Sequence, residues 1–124
     1  MKRHKILVVD DEPFICRSLS YVLRRDNYDV FEARNGEEAL ALIKEHRPDL
    51  VFLDVMMPKI NGFEVTRIVK DDPDLADTMI ILLTAKGQDS DRLTGEEAGA
   101  DDYMTKPFSP TKLLERARGM LGVV

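Results

Sequence analysis

The chain has 124 residues, of which 44% are hydrophobic and 33% charged, and its net charge is −5. This length and composition predict a single folded domain, residues 1–124, and the negative charge argues against direct nucleic-acid binding, which requires a basic face. The single Cys16 excludes an internal disulfide and favours a packing thiol in a cytoplasmic protein, and no apolar stretch is long enough for a signal sequence or a membrane span.

Short apolar runs alternate with helical patterns along the whole chain. The runs at residues 6–9, 28–33, 50–53, 79–83 and 103–105 have the length and composition of buried parallel strands. After each run, apolar residues recur at helical spacing, which predicts five helices. Five strands that alternate with five helices indicate a doubly wound α/β domain.

The helical patterns also contain start signals and apolar faces. Pro13 begins the first helix, Asn35 caps the second with Glu38 as its reciprocal partner, and Ser109-Pro110 begins the last. The apolar residues expected to face the core are, helix by helix, Phe14, Ile15, Leu19, Val22 and Leu23; Ala39, Leu40 and Ile43; Phe63, Ile68 and Val69; and Leu113, Leu114, Ala117, Met120 and Leu121.

The fourth predicted helix, near residues 89–98, is the weakest of the set. Its main apolar anchors are Leu93 and Ala98, and it carries Gly95, which costs about 1 kcal/mol relative to alanine in a helix interior. We predict that this helix is the low-stability element, of the kind that takes part in switching. The alternative is that it is only a weakly packed surface helix.

Four of the predicted strands end on a polar residue. The first is followed by Asp10 and Asp11, and the others by Asp54, Thr84 and Lys106. Because the carboxyl ends of parallel strands lie along one edge of the sheet, where ligands bind, these side chains should converge there. Each also has an ordinary structural explanation, as a helix cap, a loop residue or a surface charge. Their joint occurrence at equivalent strand ends favours a common site.

The chemistry of this set points to a bound cation and a phosphoryl group. Clustered carboxylates must share protons or hold a cation, and a site with only oxygen ligands favours Mg²⁺ over Ca²⁺ or Zn²⁺. Lys106 supplies a fixed positive charge and Thr84 a hydroxyl donor. Such a site would stabilise a phosphoryl group, with one of the acids as nucleophile.

A nucleotide binder could share this fold, and several Mg²⁺-dependent enzymes could also use acids at strand ends. A flavodoxin-like nucleotide binder would need a phosphate loop rich in small residues after the first strand, where this chain has Asp10 and Asp11. A Mg²⁺-dependent nuclease or phosphatase would be expected to have a second acid two residues after the first, whereas Asp54 is followed by Val55 and Met56. These Mg²⁺-dependent enzymes on a flavodoxin-like fold remain distant alternatives.

The sequence resembles the receiver domain of two-component response regulators throughout its length. The matching stretches are residues 6–12, residues 54–58 with Asn61-Gly62, residues 83–85, and residues 99–103 continuing into Lys106-Pro107-Phe108. The resemblance implies a flavodoxin-like sheet with strand order 2-1-3-4-5. It also implies a signalling module rather than an enzyme, which catalyses only its own phosphorylation and dephosphorylation.

By this resemblance, Asp54 accepts a phosphoryl group from the phosphohistidine of a sensor histidine kinase or a phosphotransfer protein. Asp10 and Asp11 would hold Mg²⁺, completed by Asp54 and by the backbone carbonyl of Met56. Thr84 and Lys106 would bind the phosphoryl oxygens. The peptide bond between Lys106 and Pro107 would be cis.

The same likeness implies a switch and a means of setting its lifetime. Tyr103 would turn inward as the hydroxyl of Thr84 moves toward the phosphate, and the face of helix 4, strand 5 and helix 5 would then contact a downstream protein target. Met56 and Lys86 occupy the positions that tune hydrolysis, and neither is suited to activating water. We therefore expect slow dephosphorylation.

Two questions remain open within the family. The chain could be a stand-alone regulator, which we favour, or the receiver half of a longer DNA-binding transcriptional regulator. DNA-binding relatives form symmetric dimers through opposite charges, and this chain has Asp101, Asp102, Arg92 and Arg116 at the corresponding positions. It has Lys112 where that pattern has an acid opposite the position of Arg92. We therefore expect a monomer or a weak dimer.

Overall fold

Five strands alternate with five helices, as the sequence predicts. The computed structural model describes residues 3–57, 59–85 and 89–122, and the side chains of all of these except residues 89–92. The elements are β1 (Lys5–Val9), α1 (Pro13–Arg25), β2 (Asp29–Ala33), α2 (Gly36–His46), β3 (Leu50–Asp54), α3 (Gly62–Asp71), β4 (Met79–Ala85), α4 (Asp89–Ala98), β5 (Asp102–Lys106) and α5 (Pro110–Leu121).

All strands of the sheet are parallel, in the order β2-β1-β3-β4-β5. The predicted flavodoxin-like fold class is therefore confirmed. The predicted second strand was one residue too long, because Tyr28 precedes β2. No helix in the described part of the chain is long and apolar enough to cross a membrane.

The strand register brings the polar strand ends together. Val9 lies beside Leu53, so Asp10 and Asp54 follow on adjacent strands. On the other side of β3, Asp54 itself pairs with Leu83, the residue before Thr84. This alignment is what places the candidate site at the carboxyl edge of the sheet.

Helices cover both faces of the sheet and form two hydrophobic cores. One core joins β1, β3 and β4 to α1 and α5, and the other joins the opposite face of the sheet to α2 and α3. Every residue of β3 is buried, which explains why the central strand is continuously apolar until Asp54.

Among the helix starts that the structure describes, those of α2, α3 and α5 are capped by side chains. Asn35 accepts from the backbone N–H of Glu38 at 2.9 Å, but the Glu38 carboxylate bonds to the N–H of Arg34 and the side chain of Asn35 rather than to the backbone of Asn35. Asn61 and Glu64 form a complete reciprocal pair at the start of α3, which we did not predict. Ser109 caps α5, as expected.

Three of the residues predicted to face the core are instead exposed: Phe14 (77% exposed), Ile68 (42%) and Leu93 (60%). The buried positions of α1 are Cys16, Leu19, Ser20 and Leu23, and those of α3 include Val65, Thr66 and Val69. In α4, Gly95 and Ala98 are buried. A residue two positions away from a buried one lies about 160° around a helix, so Phe14 and Leu93 point away from the sheet. Ile68 lies about 100° from the centre of its buried stripe.

The end of α4 is joined firmly to α3. The side-chain ammonium of Lys70 lies 2.8 Å from the Asp101 carboxylate and donates to the carbonyls of Ala76 and Thr78. Asp101 also accepts from the backbone N–H of Ile80. Gly99, with φ +98°, ends α4 in a left-handed conformation that glycine adopts without strain.

Candidate functional site

Three carboxylates meet at the carboxyl edge of the sheet. Asp10 follows β1 and is fully buried, Asp54 ends β3 and is buried, and Asp11 is exposed. One oxygen from each lies within 4.8 Å of the others. The structure therefore brings together the acids that the sequence predicted would converge, at separations short enough to share one cation.

Two of these carboxylates are oriented by backbone N–H groups. Asp10 Oδ1 accepts from the N–H of Glu12 at 3.0 Å, and Asp54 Oδ1 accepts from the N–H of Met56 at 3.3 Å. Glu12 is the N-cap of α1, and its side chain makes no capping hydrogen bond. Asp10 thus orders the turn before α1 without being the cap of that helix.

Lys106, at the end of β5, completes the cluster. Its ammonium donates to Asp10 Oδ2 at 3.1 Å and lies 3.4 Å from Asp54 Oδ2. The surface-charge alternative for Lys106 is therefore wrong, because its side chain bridges two buried acids. The peptide bond from Lys106 to Pro107 is cis, as expected.

Burial and neighbouring charges shift the titration of this cluster. Burial raises the pKa of Asp54 to about 6; the positive charge of Lys106 opposes this change and the negative charge of Asp10 adds to it. Burial acts to lower the pKa of Lys106, but the charges of Asp54 and Asp10 outweigh it, so that pKa lies above its ordinary value. Asp54 and Asp10 thus share the Lys106 ammonium as their counter-charge.

The predicted switch residues lie on the neighbouring strands. The hydroxyl of Thr84, buried at the end of β4, donates to the carbonyl of Met104 at 3.4 Å. Tyr103 is half-buried on β5, and its hydroxyl donates to Glu96 Oε1 of α4 at 2.6 Å. In these contacts, both hydroxyls donate to groups outside the acidic cluster.

The predicted tuning and dimer residues are only partly described. The side chain of Met56 is 72% exposed next to Asp54. Lys86 lies outside the described residues, as does the side chain of Arg92. Arg116 is described, and it pairs with Asp102 within the same chain.

Sequence reasoning missed two side-chain contacts that hold α4 and the turn after it. The first is the hydrogen bond from Tyr103 to Glu96, and the second is the Lys70–Asp101 ion pair. Both join residues on different elements, and no local spacing in the sequence indicates such a partner.

The family follows from these features and from a comparison with known proteins. A family model described as the response regulator receiver domain matches residues 6–118. The chain therefore belongs to the response regulator receiver domain family, which makes it a signalling module rather than a classical enzyme.

Three related proteins show the extent of the similarity. The chain is 48% identical over 117 residues to the alkaline phosphatase synthesis transcriptional regulatory protein PhoP of Bacillus subtilis, covering 94% of the chain and 48% of PhoP. Its structure matches the beryllofluoride-activated receiver domain of DrrB, a Thermotoga maritima protein, with TM-score 0.87 and 40% identity, covering 98% of this chain and 99% of that domain. It also matches the chemotaxis response regulator CheY4 of Vibrio cholerae, with TM-score 0.90 and 33% identity, over 96% and 99% of the two chains.

The chain spans about half the length of the curated relatives it matches. Among them, PhoP and ResD of Bacillus subtilis are named as transcriptional regulatory proteins, and MtrA of Mycolicibacterium smegmatis as a DNA-binding response regulator. A receiver within a longer DNA-binding regulator therefore fits these relatives.

Proposed function

We propose that Asp54 accepts a phosphoryl group from the phosphohistidine of a sensor histidine kinase or a phosphotransfer protein. One observation carries this proposal. The Asp54 carboxylate ends the central strand, beside two further acids and within 3.4 Å of the Lys106 ammonium. A carboxylate oxygen would attack phosphorus, forming a P–O bond as the P–N bond to the donor imidazole breaks, and the imidazole nitrogen would keep the electron pair.

The residues around Asp54 fit the charge changes of this step. Lys106 is placed to pair with the oxygens of the transferred group, in exchange for the carboxylate that it contacts in the unphosphorylated protein. Thr84 can turn its hydroxyl from the Met104 carbonyl to a phosphoryl oxygen by rotation of its side chain. Both residues would exchange one oxygen partner for another.

The donor set fits a hard divalent cation, because it consists of carboxylates close enough to share one ion. Asp10, Asp11 and Asp54 would hold Mg²⁺, together with the backbone carbonyl of Met56. Bound there, Mg²⁺ supplies positive charge that offsets the repulsion between the acids and the incoming phosphoryl oxygens.

The signal would be transmitted through the face formed by α4, β5 and α5. Thr84 and Tyr103 lie on the adjacent strands β4 and β5, and Tyr103 contacts α4 through Glu96. A phosphoryl group adds charge and acceptor oxygens at Asp54, so movement of Thr84 toward it would alter this face. A downstream protein target would bind there. A cytoplasmic location belongs to the same proposal, supported by the free thiol of buried Cys16.

A second candidate is that this receiver is part of a longer DNA-binding transcriptional regulator. Its support is that the chain covers about half of relatives that are named as transcriptional regulators. In that case the target of the α4–β5–α5 face would be a second receiver or a domain of the same polypeptide.

Intact mass spectrometry after incubation with acetyl phosphate and Mg²⁺ tests the proposal. The wild-type protein should gain one phosphoryl group, the Asp54→Asn protein none, and the Asp11→Asn protein should need a higher Mg²⁺ concentration. Asp49→Asn is the matched control, because Asp49 precedes β3 at the opposite edge of the sheet. Full phosphorylation of the Asp54→Asn protein, or phosphorylation that is unaffected by EDTA, would contradict the proposal.

A further inference from the structure

Tyr103 of β5 is held by both of the helices beside it. Its hydroxyl donates to Glu96 Oε1 of α4 at 2.6 Å, and its carbonyl accepts from Arg116 Nη1 of α5 at 3.2 Å. Arg116 also pairs with the neighbouring Asp102. The backbone of Tyr103 is thus tied to α5, while the end of its side chain is tied to α4.

From these contacts we propose that Glu96 is a positioning residue, which holds the Tyr103 ring against α4 and sets how readily that ring turns away. The inference rests on the proposed function in so far as the movement of Tyr103 is linked to phosphorylation of Asp54. Nothing in the local sequence pattern marks Glu96 for this role, since its partner lies on another element, seven residues away.

The hydrogen bond itself has the features of a strong one. Its donor is a phenol and its acceptor a carboxylate, and 2.6 Å is the distance expected for a charge-assisted O–H···O⁻ bond. Turning the ring toward the interior must break this bond and return the exposed carboxylate to water. The contact therefore favours the present position of Tyr103.

A close approach of α4 makes this contact possible. A Cβ atom added at Gly95 would lie 2.8 Å from Leu82 Cδ1 and 3.6 Å from the Tyr103 ring, so the helix backbone lies directly over both side chains. The next residue, Glu96, then reaches the Tyr103 hydroxyl. Gly95, which appeared to be only a weak point of the helix, is the residue that allows α4 to lie this close.

The expected effect is modest but measurable. A hydrogen bond with one exposed partner typically changes an equilibrium by about fivefold. In the unphosphorylated protein, removing the Glu96 carboxylate should therefore raise the population with the Tyr103 ring turned inward about fivefold, relative to the population with the ring in its present outward position. If the turned position is the one that favours phosphorylation, the rate of phosphorylation should rise by a similar factor.

Fluorine NMR of protein labelled with 3-fluorotyrosine tests the positioning directly. The chain has three tyrosines, and loss of a signal in Tyr103→Phe identifies the one of interest. In unphosphorylated protein, Glu96→Ala should move the Tyr103 signal toward its position in wild-type protein with beryllofluoride and Mg²⁺. In the Glu96→Gln protein, which keeps an acceptor oxygen, the Tyr103 signal should lie between its positions in the wild-type and Glu96→Ala proteins. Glu97→Ala, the exposed neighbour on the same helix, should leave the signal in place.

The rate of phosphorylation by acetyl phosphate provides the second measurement. Glu96→Ala should raise this rate about fivefold in the wild-type background and leave it unchanged in the Tyr103→Phe background, since the hydroxyl donor is then absent. An equal increase in both backgrounds would overturn the inference, because it would come from the lost negative charge alone. An unmoved Tyr103 signal in unphosphorylated Glu96→Ala protein would also overturn it.

The two measurements separate this inference from the proposed function. If wild-type protein takes up no phosphoryl group, the proposed function is wrong. The fluorine signal of unphosphorylated Glu96→Ala protein still decides whether Glu96 positions Tyr103.

Discussion

The ammonium of Lys106 lies 3.4 Å from the carboxylate of Asp54, and it provides the positive charge that both buried acids of the site share. Even with this partner, the pKa of Asp54 is raised to about 6, because burial and the charge of Asp10 outweigh the attraction. The ionised site is therefore under electrostatic strain when no cation is bound. This strain has a measurable effect on stability.

Asp54→Asn should stabilise the fold at neutral pH when EDTA removes divalent ions. A carboxyl group whose folded pKa is raised from 3.8 to about 6 binds more protons in the folded state across that range. The free energy of unfolding then falls as the pH rises from about 4 to about 6, and it stays lower above that range. We expect Asp54→Asn to add about 1–3 kcal/mol at pH 7.5 and almost nothing below pH 4. Urea unfolding at both pH values checks this, and a less stable Asn variant at pH 7.5 would contradict it.

Met56→Asn should shorten the lifetime of the phosphorylated protein. Met56 is exposed beside the acceptor and has no side-chain group that could hold an attacking water. We expect a wild-type half-life of minutes or longer with Mg²⁺ at 25 °C, and a decrease on the order of tenfold in Met56→Asn. Met56→Leu is the control, since it leaves the position apolar. Loss of phosphate measured by intact mass gives both rates, and a wild-type half-life of a few seconds would rule out this explanation.

Lys112→Glu should promote dimerisation of the beryllofluoride-activated domain. Lys112 stands where DNA-binding relatives that form symmetric dimers have an acid. Replacing a like-charge contact by an ion pair at two symmetric positions changes the free energy of association by about 2 kcal/mol, or the association constant roughly thirtyfold. Lys112 also occupies the position whose N–H is capped by Ser109, so a glutamate there would stabilise α5 as well. Lys112→Gln controls for that effect without adding a negative charge. Light scattering should show weak dimers for the wild-type and Lys112→Gln proteins and stronger dimers for Lys112→Glu. Tight wild-type dimers at a few micromolar would show the expectation to be wrong.

Asp26→Asn should destabilise the protein in a pH-dependent way. Asp26 follows α1 and accepts two hydrogen bonds from Arg118 of α5, which lower its pKa. A carboxyl group with a lowered folded pKa contributes stability above its ordinary value of 3.8, and this contribution is lost as the pH falls through the folded pKa. The pair is partly exposed, so we expect a decrease in Tm of at most about 3 °C at pH 7. The decrease should persist down to about pH 4, shrink as the pH falls below 3.8, and vanish in an Arg118→Gln background; a full decrease in that background would exclude this pair as its source.

Two helix-interior glycines should respond differently to alanine. A Cβ at Gly119 of α5 has nothing within 4 Å, so Gly119→Ala should stabilise the fold by about 0.5–1 kcal/mol. At Gly95 the same gain in helix propensity is opposed by the approach to Leu82, and we expect no net stabilisation or a loss. Paired urea titrations compare the two variants. A similar gain at both sites would mean that α4 does not pack closely on β4.

The sequence predicted the position of the site better than the orientation of the helices. The strand ends could be located because each buried apolar run stops at a polar residue, and parallel strands align those ends. Helix faces were assigned by counting large apolar residues, and this failed where Ser20, Thr66 or Gly95 occupies the buried stripe and Phe14, Ile68 or Leu93 does not.

Contacts between distant elements left no trace in the local pattern. Lys70 and Asp101 are 31 positions apart, and nothing in either neighbourhood indicates that they pair. The Tyr103–Glu96 contact depends on how closely α4 approaches the sheet, which is determined by packing in three dimensions. By contrast, the cap at Asn61 and Glu64 could have been found, because its spacing is the same as that of Asn35 and Glu38.

The pairing of Lys70 with Asp101 fastens one end of α4. The turn that follows α4 is held to α3 and to β4 by this ion pair and by the backbone contacts of Asp101, which lies 12 residues after the first residue of the helix, Asp89. A tilt of a helix fastened in this way would turn about Gly99, at its fastened end. Ten residues of helix are about 15 Å long, so a tilt of only about 10° would carry the first residue of α4 roughly 3 Å. In the proposed switch, a small movement of Thr84 would thereby be enlarged into a displacement of the α4–β5–α5 face, to which the proposed target would bind.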